Sequence, residues 1–192
     1  MTKEELSIKV DSFVKEYTGK FVDTDGYYGA QCMDLMHKYV EKVLGVSDPS
    51  VLRADTANLA YITFNRKDLF DKIDNTLLGM PEKGDIVFFG TKVGSAGHVA
   101  IYLDGGLMNF KTFDQNWPTG NFCSIQSHSY LPLGSVLGWL RFKFPVDPCA
   151  DLKKQLEYMT KKADDLDKEL KGVKSERDVA LKKISKAKEV LS

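Results

Sequence analysis

Asp23-Thr24-Asp25-Gly26-Tyr27-Tyr28-Gly29-Ala30-Gln31-Cys32-Met33-Asp34 sets a cysteine directly behind a run of carboxylates and glycines. The apolar period that follows, Leu35, Met36, Tyr39, Val40, Val43 and Leu44, closes at Gly45. Spacings of three and four residues gather those side chains on one face of a helix, and the glycine supplies its stop. Cys32 therefore falls in the first turn of a packing helix. Unpaired amide groups at a helix start favour a thiolate and can draw a thiol pKa from about 8.5 toward ~3.5–7.5. One segment thus holds a candidate nucleophile and a candidate metal loop.

Upstream, Leu6, Val10, Phe13, Val14 and Tyr17 recur at helical spacing within residues 4–17, and Gly19 follows as a stop. Downstream, residues 55–75 read as one or two short helices. Asp85–Gly90, His98–Asp104, Leu107–Gln115 and Val136–Phe142 are short aromatic and β-branched runs punctuated by glycine, hence strands. Helices first and an antiparallel sheet after them is an α+β order, not an alternating parallel one.

After Phe144-Pro-Val-Asp-Pro148 the composition changes, with 21 charged residues among the last 44. Leu156, Ala163, Leu170, Arg177, Ile184 and Leu191 recur every seven residues, and Leu152, Met159, Leu166, Val173, Ala180 and Ala187 fill the complementary register. Two segments are expected: a body over 1–146 and a charged heptad helix over 147–192. A lone helix with this stripe would leave it wet, so residues 152–191 are expected to self-associate or to dock on a partner helix.

Lys plus Arg and Asp plus Glu both number 27, and residues 1–148 alone hold fifteen basic and eighteen acidic residues. A nucleic-acid partner, which asks for a basic stripe, is not expected. No run of eighteen apolar residues suggests an integral membrane segment, and Met-Thr-Lys-Glu-Glu lacks the apolar core of a signal peptide, so synthesis in a cytosol is expected. Cys32, Cys123 and Cys149 are an odd set without CxxC spacing, read as thiols.

A cysteine hydrolase also needs an imidazole, and a group to orient it. His98 opens Gly97-His98-Val99-Ala100-Ile101-Tyr102, where alternation puts His98 and Ala100 on one face. His37 lies about 140° round the helix from Cys32, at ~100° per residue, and reads as surface or structural. His128, in Ser127-His128-Ser129, is the weaker alternative. Asp114 and Asn116 share a face of the next strand by the period-two rule, and either could accept a bond from the imidazole.

Gln31-Cys32-Met33-Asp34-Leu35, Gly84-Asp85-Ile86-Val87-Phe88, Gly97-His98-Val99-Ala100-Ile101 and Asp114-Gln115-Asn116-Trp117, in this order, resemble the CHAP family of cysteine- and histidine-dependent amidohydrolases/peptidases. The resemblance covers roughly residues 5–145 and implies a papain-like fold. It further implies cleavage of amide bonds in peptidoglycan, as an N-acetylmuramoyl-L-alanine amidase or an endopeptidase of bacteriophage lysin type, reaching the wall by a holin-type route or from outside. Cys32 would be the nucleophile, His98 base then acid, and Asp114 with Asn116 the orienting groups, although lysins of this kind usually carry Glu where Asp114 stands. The Cys32 N–H and the Gln31 side chain are candidate oxyanion donors, Gln31 being equally readable as a polar helix-start residue. Tyr28, Phe113, Trp117 and Trp139 are candidates for substrate wall or for core. The alternative from another class is a wall-binding or structural component in which a CHAP-like body is presented by the coiled coil.

Counted from Asp23, carboxylates fall at positions one, three and twelve (Asp23, Asp25, Asp34), with Tyr27 and Gly29 placed to offer backbone carbonyls. This partly follows an EF-hand schedule, with Gly26 at four instead of six and Asp34 in place of Glu. Hard oxygen donors without neighbouring sulfur or imidazole ligands suit Ca²⁺ over zinc. The resemblance implies the same ion at these positions. No organic cofactor is expected.

Overall fold

The structure, a computed structural model, describes residues 1–48, 50–76, 79–132, 134–144 and 150–190. Cys149, Leu191 and the expected 146/147 boundary lie outside them. The chain separates into two compact units, Met1–Phe144 and Pro145–Ser192.

In the first unit, α1 (Lys3–Tyr17), α2 (Cys32–Lys42) and α3 (Ala57–Ile62) precede a sheet of β1 (Phe70–Asp74), β2 (Ile86–Phe89), β3 (His98–Gly105), β4 (Asn109–Asp114), β5 (Ser124–Ser129) and β6 (Val136–Phe142). The strand order is β1-β6-β2-β3-β4-β5, every pair antiparallel, giving the expected α+β architecture. α1 starts on a capping box: Thr2 Oγ1 accepts from Glu5 N at 3.2 Å while Thr2 N donates to the Glu5 carboxylate at 2.9 Å. Such a cap contributes about 1 kcal/mol.

Alternation along the strands divides the core. Ile86, Phe88, Val99, Ile101 and Phe113 join the helical residues Leu6, Val10, Phe13, Leu35, Met36 and Tyr39 in one cluster. Val87, Phe89, Ala100, Tyr102, Phe110, Val136 and Trp139 form a second cluster on the opposite face. Each large side chain buried this way contributes roughly 1.5–3 kcal/mol. His98, Thr112 and Asp114 stand in register with the second face, which brings polar chemistry to one end of an otherwise apolar layer.

Two expectations need correction. Residues 55–75 are not all helical, because after α3 the chain runs into β1, whose Phe70 packs against Phe142 of β6 at 5.5 Å between ring centroids. A five-residue edge strand gives too short an alternation to stand out from a helical period. β5 was not expected either: Ser124-Ile-Gln-Ser-His-Ser129 is an edge strand with mostly polar side chains and carries little apolar signal.

The second unit contains α4 (Ala150–Val190), 41 residues long. Its stripe of Leu152, Leu156, Met159, Leu166, Leu170, Val173 and Ile184 is exposed, each residue by more than half.

Candidate active site

α2 begins at Cys32 because the chain enters it extended at Gln31, with φ −100° and ψ 163°. Asp34 reaches back over that entry. One of its oxygens accepts from Gln31 N at 2.8 Å, and the other accepts from Thr24 N at 3.0 Å and Thr24 Oγ1 at 2.6 Å. From the other side, Gln115 Nε2 donates to Gln31 O at 2.6 Å and to Val22 O at 2.7 Å. Gln115 Oε1 accepts from Val22 N at 2.7 Å and from the Cys123 thiol at 3.0 Å. Gln115 is wholly buried and ties β4 to the loop and to the residue before Cys32. The sequence places Gln115 in the Asp114–Trp117 block but assigns it no role, since one glutamine there has no periodic pattern. Cys32 is half-buried and Cys123 buried, both free thiols; burial pushes the Cys123 thiol up to about 11, which makes it inert at ordinary pH.

Gly97 sets the start of β3 at φ +68°, where a Cβ would stand 2.4 Å from Phe89 O. This close approach seats His98, which is only 3% exposed. Its Nε2 lies 2.8 Å from Asp114 Oδ2. An ionised carboxylate only accepts, so Nε2 carries the hydrogen and Nδ1 is left for the Cys32 sulfur, the other hydrogen-bonding group acting on this imidazole. Burial opposes the imidazolium, yet the bonds and charges of Asp114 and Cys32 outweigh it and raise His98 to about 9. Burial likewise opposes the Asp114 carboxylate, but bonds from His128 and His98 hold it below its ordinary range. Thr112 Oγ1 donates to Asp114 Oδ1.

The open choice between Asp114 and Asn116 resolves geometrically to Asp114. β4 ends at Asp114, and Asn116 turns away at φ +60°, so the period-two rule no longer applies to it. Asn116 Nδ2 donates instead to Gln31 Oε1 at 2.9 Å, and its own oxygen accepts from Gly120 N at 2.5 Å. Gln31 Nε2 donates to Tyr28 O at 2.7 Å, so the Gln31 amide is held at both ends. Its second Nε2 hydrogen is not used by either bond.

His128, the weaker alternative in the sequence, lies in the cluster, its Nε2 at 2.8 Å from Asp114 Oδ2. The half-buried Trp117 ring covers the imidazoles, 4.9 Å from His98 and 5.7 Å from His128 between centroids. Tyr28 is 94% exposed at φ +61°. Phe113 and Trp139 are wholly buried core residues and are not substrate walls, because strand alternation points them inward. His37 lines a cavity of about 510 Å³ with Val40, Val51 and Leu52, which borders the acidic loop at Thr24 and Asp25.

The acidic loop also closes. Ligand atoms of Asp23, Asp25 and Asp34 lie within 4.8 Å of one another, the first two residues exposed and Asp34 buried. Asp23 Oδ1 accepts from Gly26 N at 2.7 Å and Asp25 Oδ1 from Tyr27 N at 2.8 Å, turns that fold the loop round its own carboxylates. Oxygens at 2.3–2.6 Å from one ion stand no more than ~5 Å apart, so this spread fits a calcium-sized cation.

No family model matches the chain. Over 98 residues it is 36% identical to the endolysin LysK of Staphylococcus phage K, a stretch that makes up 50% of this chain and 19% of that protein. The solved structure of the endolysin LysIME-EF1 matches 73% of this chain and 65% of its own, with TM-score 0.59 and 25% identity. Ly7917 matches 74% of this chain and 63% of its own, with TM-score 0.52 and 19% identity. Ly7917 solved with the hydrolysing product of MDP gives TM-score 0.55. The chain therefore spans less than two thirds of each of these proteins. Its body has an endolysin-like fold.

Proposed function

We propose that this chain is a peptidoglycan hydrolase of lysin type, acting through a Cys32 thiolate with His98 as base and then acid and Asp114 as the orienting carboxylate. The observation that carries it is the buried Asp114–His98 pair, with the cysteine of a helix start as the second partner of the imidazole. In this reading His98 takes the Cys32 proton and the thiolate attacks an amide carbonyl. The tetrahedral oxyanion meets the Cys32 backbone N–H and the unused Nε2 hydrogen of Gln31, whose amide Asn116 and Tyr28 O keep in place. Collapse breaks the C–N bond, and the amine leaves with the proton held by His98. Water, deprotonated by His98, then opens the thioester to a carboxylate and restores the thiol. Trp117 and exposed Tyr28 flank the site as substrate walls. Digestion of purified walls, with mass spectrometry of the released fragments, tests the reading. New L-Ala amines would name an amidase, new termini inside the peptides an endopeptidase, and no fragments from any wall chemistry would contradict it.

We further propose that Asp23, Asp25 and Asp34, with the backbone carbonyls of Tyr27 and Gly29, hold Ca²⁺. Bound there, the ion supplies positive charge that ties the loop to the first turn of α2. Asp34 contacts both Thr24 and Gln31, so the loop and the Cys32 position move together. Calcium at a hundred times its dissociation constant should stabilise the fold by about 2.7 kcal/mol. Excess EGTA is accordingly expected to lower the melting temperature by several degrees and wall clearance with it. A melting temperature unchanged between calcium and EGTA would sink this assignment.

The exposed stripe of α4 supports pairing with a second copy in parallel. In a parallel pair Lys162 faces Asp167 of the other copy and Glu169 faces Lys174, two opposite-charge contacts flanking the apolar seam on each side against one like-charge contact, Lys183 with Lys188. Fully overlapped antiparallel helices would set Glu169 against Glu176 and Lys162 against Lys183. Two catalytic bodies on one tether would gain avidity on an insoluble polymer. Sedimentation of the whole chain is expected to give twice 21.6 kDa. Glu169→Lys turns two attractions into two repulsions, and at ~0.3–0.5 kcal/mol for each attraction lost and each repulsion gained it should weaken the dimer roughly tenfold, while added Lys174→Glu should restore it. A monomer at all concentrations would contradict the pairing.

A further inference from the structure

Asp114 has two imidazoles on one oxygen: Oδ2 stands 2.8 Å from Nε2 of His98 and 2.8 Å from Nε2 of His128, while Oδ1 takes the Thr112 hydroxyl. We propose that His128 is a positioning residue of the site, donating its Nε2 hydrogen to the carboxylate that orients His98 and dividing that carboxylate's charge between two donors. The inference rests on the thiol-hydrolase reading for its kinetic consequence, but not for its geometry.

Three observations support it. Asp114 is wholly buried, and a buried carboxylate costs heavily unless its lone pairs are filled, so each donor constrains the angle at which Oδ2 meets His98. The His128 side chain is only 7% exposed, and its ring lies 4.7 Å from Phe89, 5.7 Å from Phe110 and 5.7 Å from Trp117. It is thus held by three aromatics from β2, β4 and the turn after β4. His128 stands opposite Phe110 in the β4–β5 register, so the edge strand sets its reach. Of the groups facing it, Asp114 and His98 titrate, and Phe89, Phe110 and Trp117 bear no charge. With the His98 ring 6.2 Å away, two imidazolium ions would repel across one carboxylate. The ionised Asp114 carboxylate only accepts, so the His128 nitrogen that meets it, Nε2, is the one that carries the hydrogen.

Removing this donor leaves the Asp114 charge to act on His98 alone. His98 should then keep its proton to higher pH, and the carboxylate, freed on one side, should lose its fixed angle. The expected result for His128→Phe is about a tenfold fall in the wall-clearing rate, with the alkaline limb of the pH profile moved upward by about half a unit or more. His128→Gln, whose amide can donate in the same direction, should recover most of both. A purely structural residue would change the melting temperature and leave the alkaline limb in place, an outcome that would overturn the proposal, as would a Gln variant no better than Phe. Should the variants not fold, ¹⁵N imidazole spectra of the wild-type protein decide. A protonated Nε2 on His128 at neutral pH supports the proposal, and a hydrogen on Nδ1 alone overturns it. Because those spectra need no substrate, they separate failure of this proposal from failure of the hydrolase reading.

Discussion

Cys32→Ala is expected to lower clearance of purified cell walls by a factor on the order of 10⁴ or more, as removal of a covalent nucleophile does when the rest of its site is intact. The fold should survive. Cys32 is half-buried at the start of α2, and the loop before it is held by Asp34 and Gln115 through backbone atoms of residues 22, 24 and 31, none of which the substitution touches. Circular dichroism and a melting curve close to wild type, together with lost clearance, would assign the loss to chemistry. Clearance within a few-fold of wild type would mean that Cys32 is not the nucleophile.

Asp114→Asn should have the next largest effect, about 10³–10⁴-fold on the rate, the scale seen when a triad carboxylate is made neutral. Burial and the Asp114 charge now compete at His98, and the partners win, holding the imidazole up at about 9. Take the charge away and burial dominates, so the imidazolium is lost at lower pH. The wild-type rate should fall as pH rises through about 9, and the alkaline limb of the Asn variant should move down. The same raised pKa stabilises the fold below the ordinary histidine value, a contribution lost as pH rises through about 9. The depressed Asp114 acts in the opposite direction: its contribution is present above the ordinary carboxylate range and is lost on acidification. An Asn variant with wild-type rate and an unmoved alkaline limb would remove Asp114 from the mechanism.

Much of the placement of the candidate residues was legible in the chain because they lie on elements with clear periods. Cys32 opens a helix whose apolar face is well marked, and His98 opens a strand whose alternation assigns its face correctly. What escaped depends on contacts across the sheet. His128 sits on a polar edge strand and meets Asp114 only through pairing of β4 with β5. Gln115 joins residues 84 and 93 positions away in sequence, separations that no local pattern encodes. Asn116 defeated the strand rule because the strand ends two residues before it and the chain turns at positive φ. The carboxylate loop was legible as a schedule of acids, but the capping of Gln31 by Asp34, which joins loop to helix, required three-dimensional placement.

Alkylation of the wild-type protein by iodoacetamide near neutral pH, followed in parallel by peptide mass spectrometry and by wall clearance, tests the central claim most directly. Clearance should fall in proportion to the fraction of Cys32 modified, soluble wall fragments should slow that modification, and buried Cys123 should stay unmodified. Full clearance by protein whose Cys32 is completely alkylated would contradict the thiol mechanism.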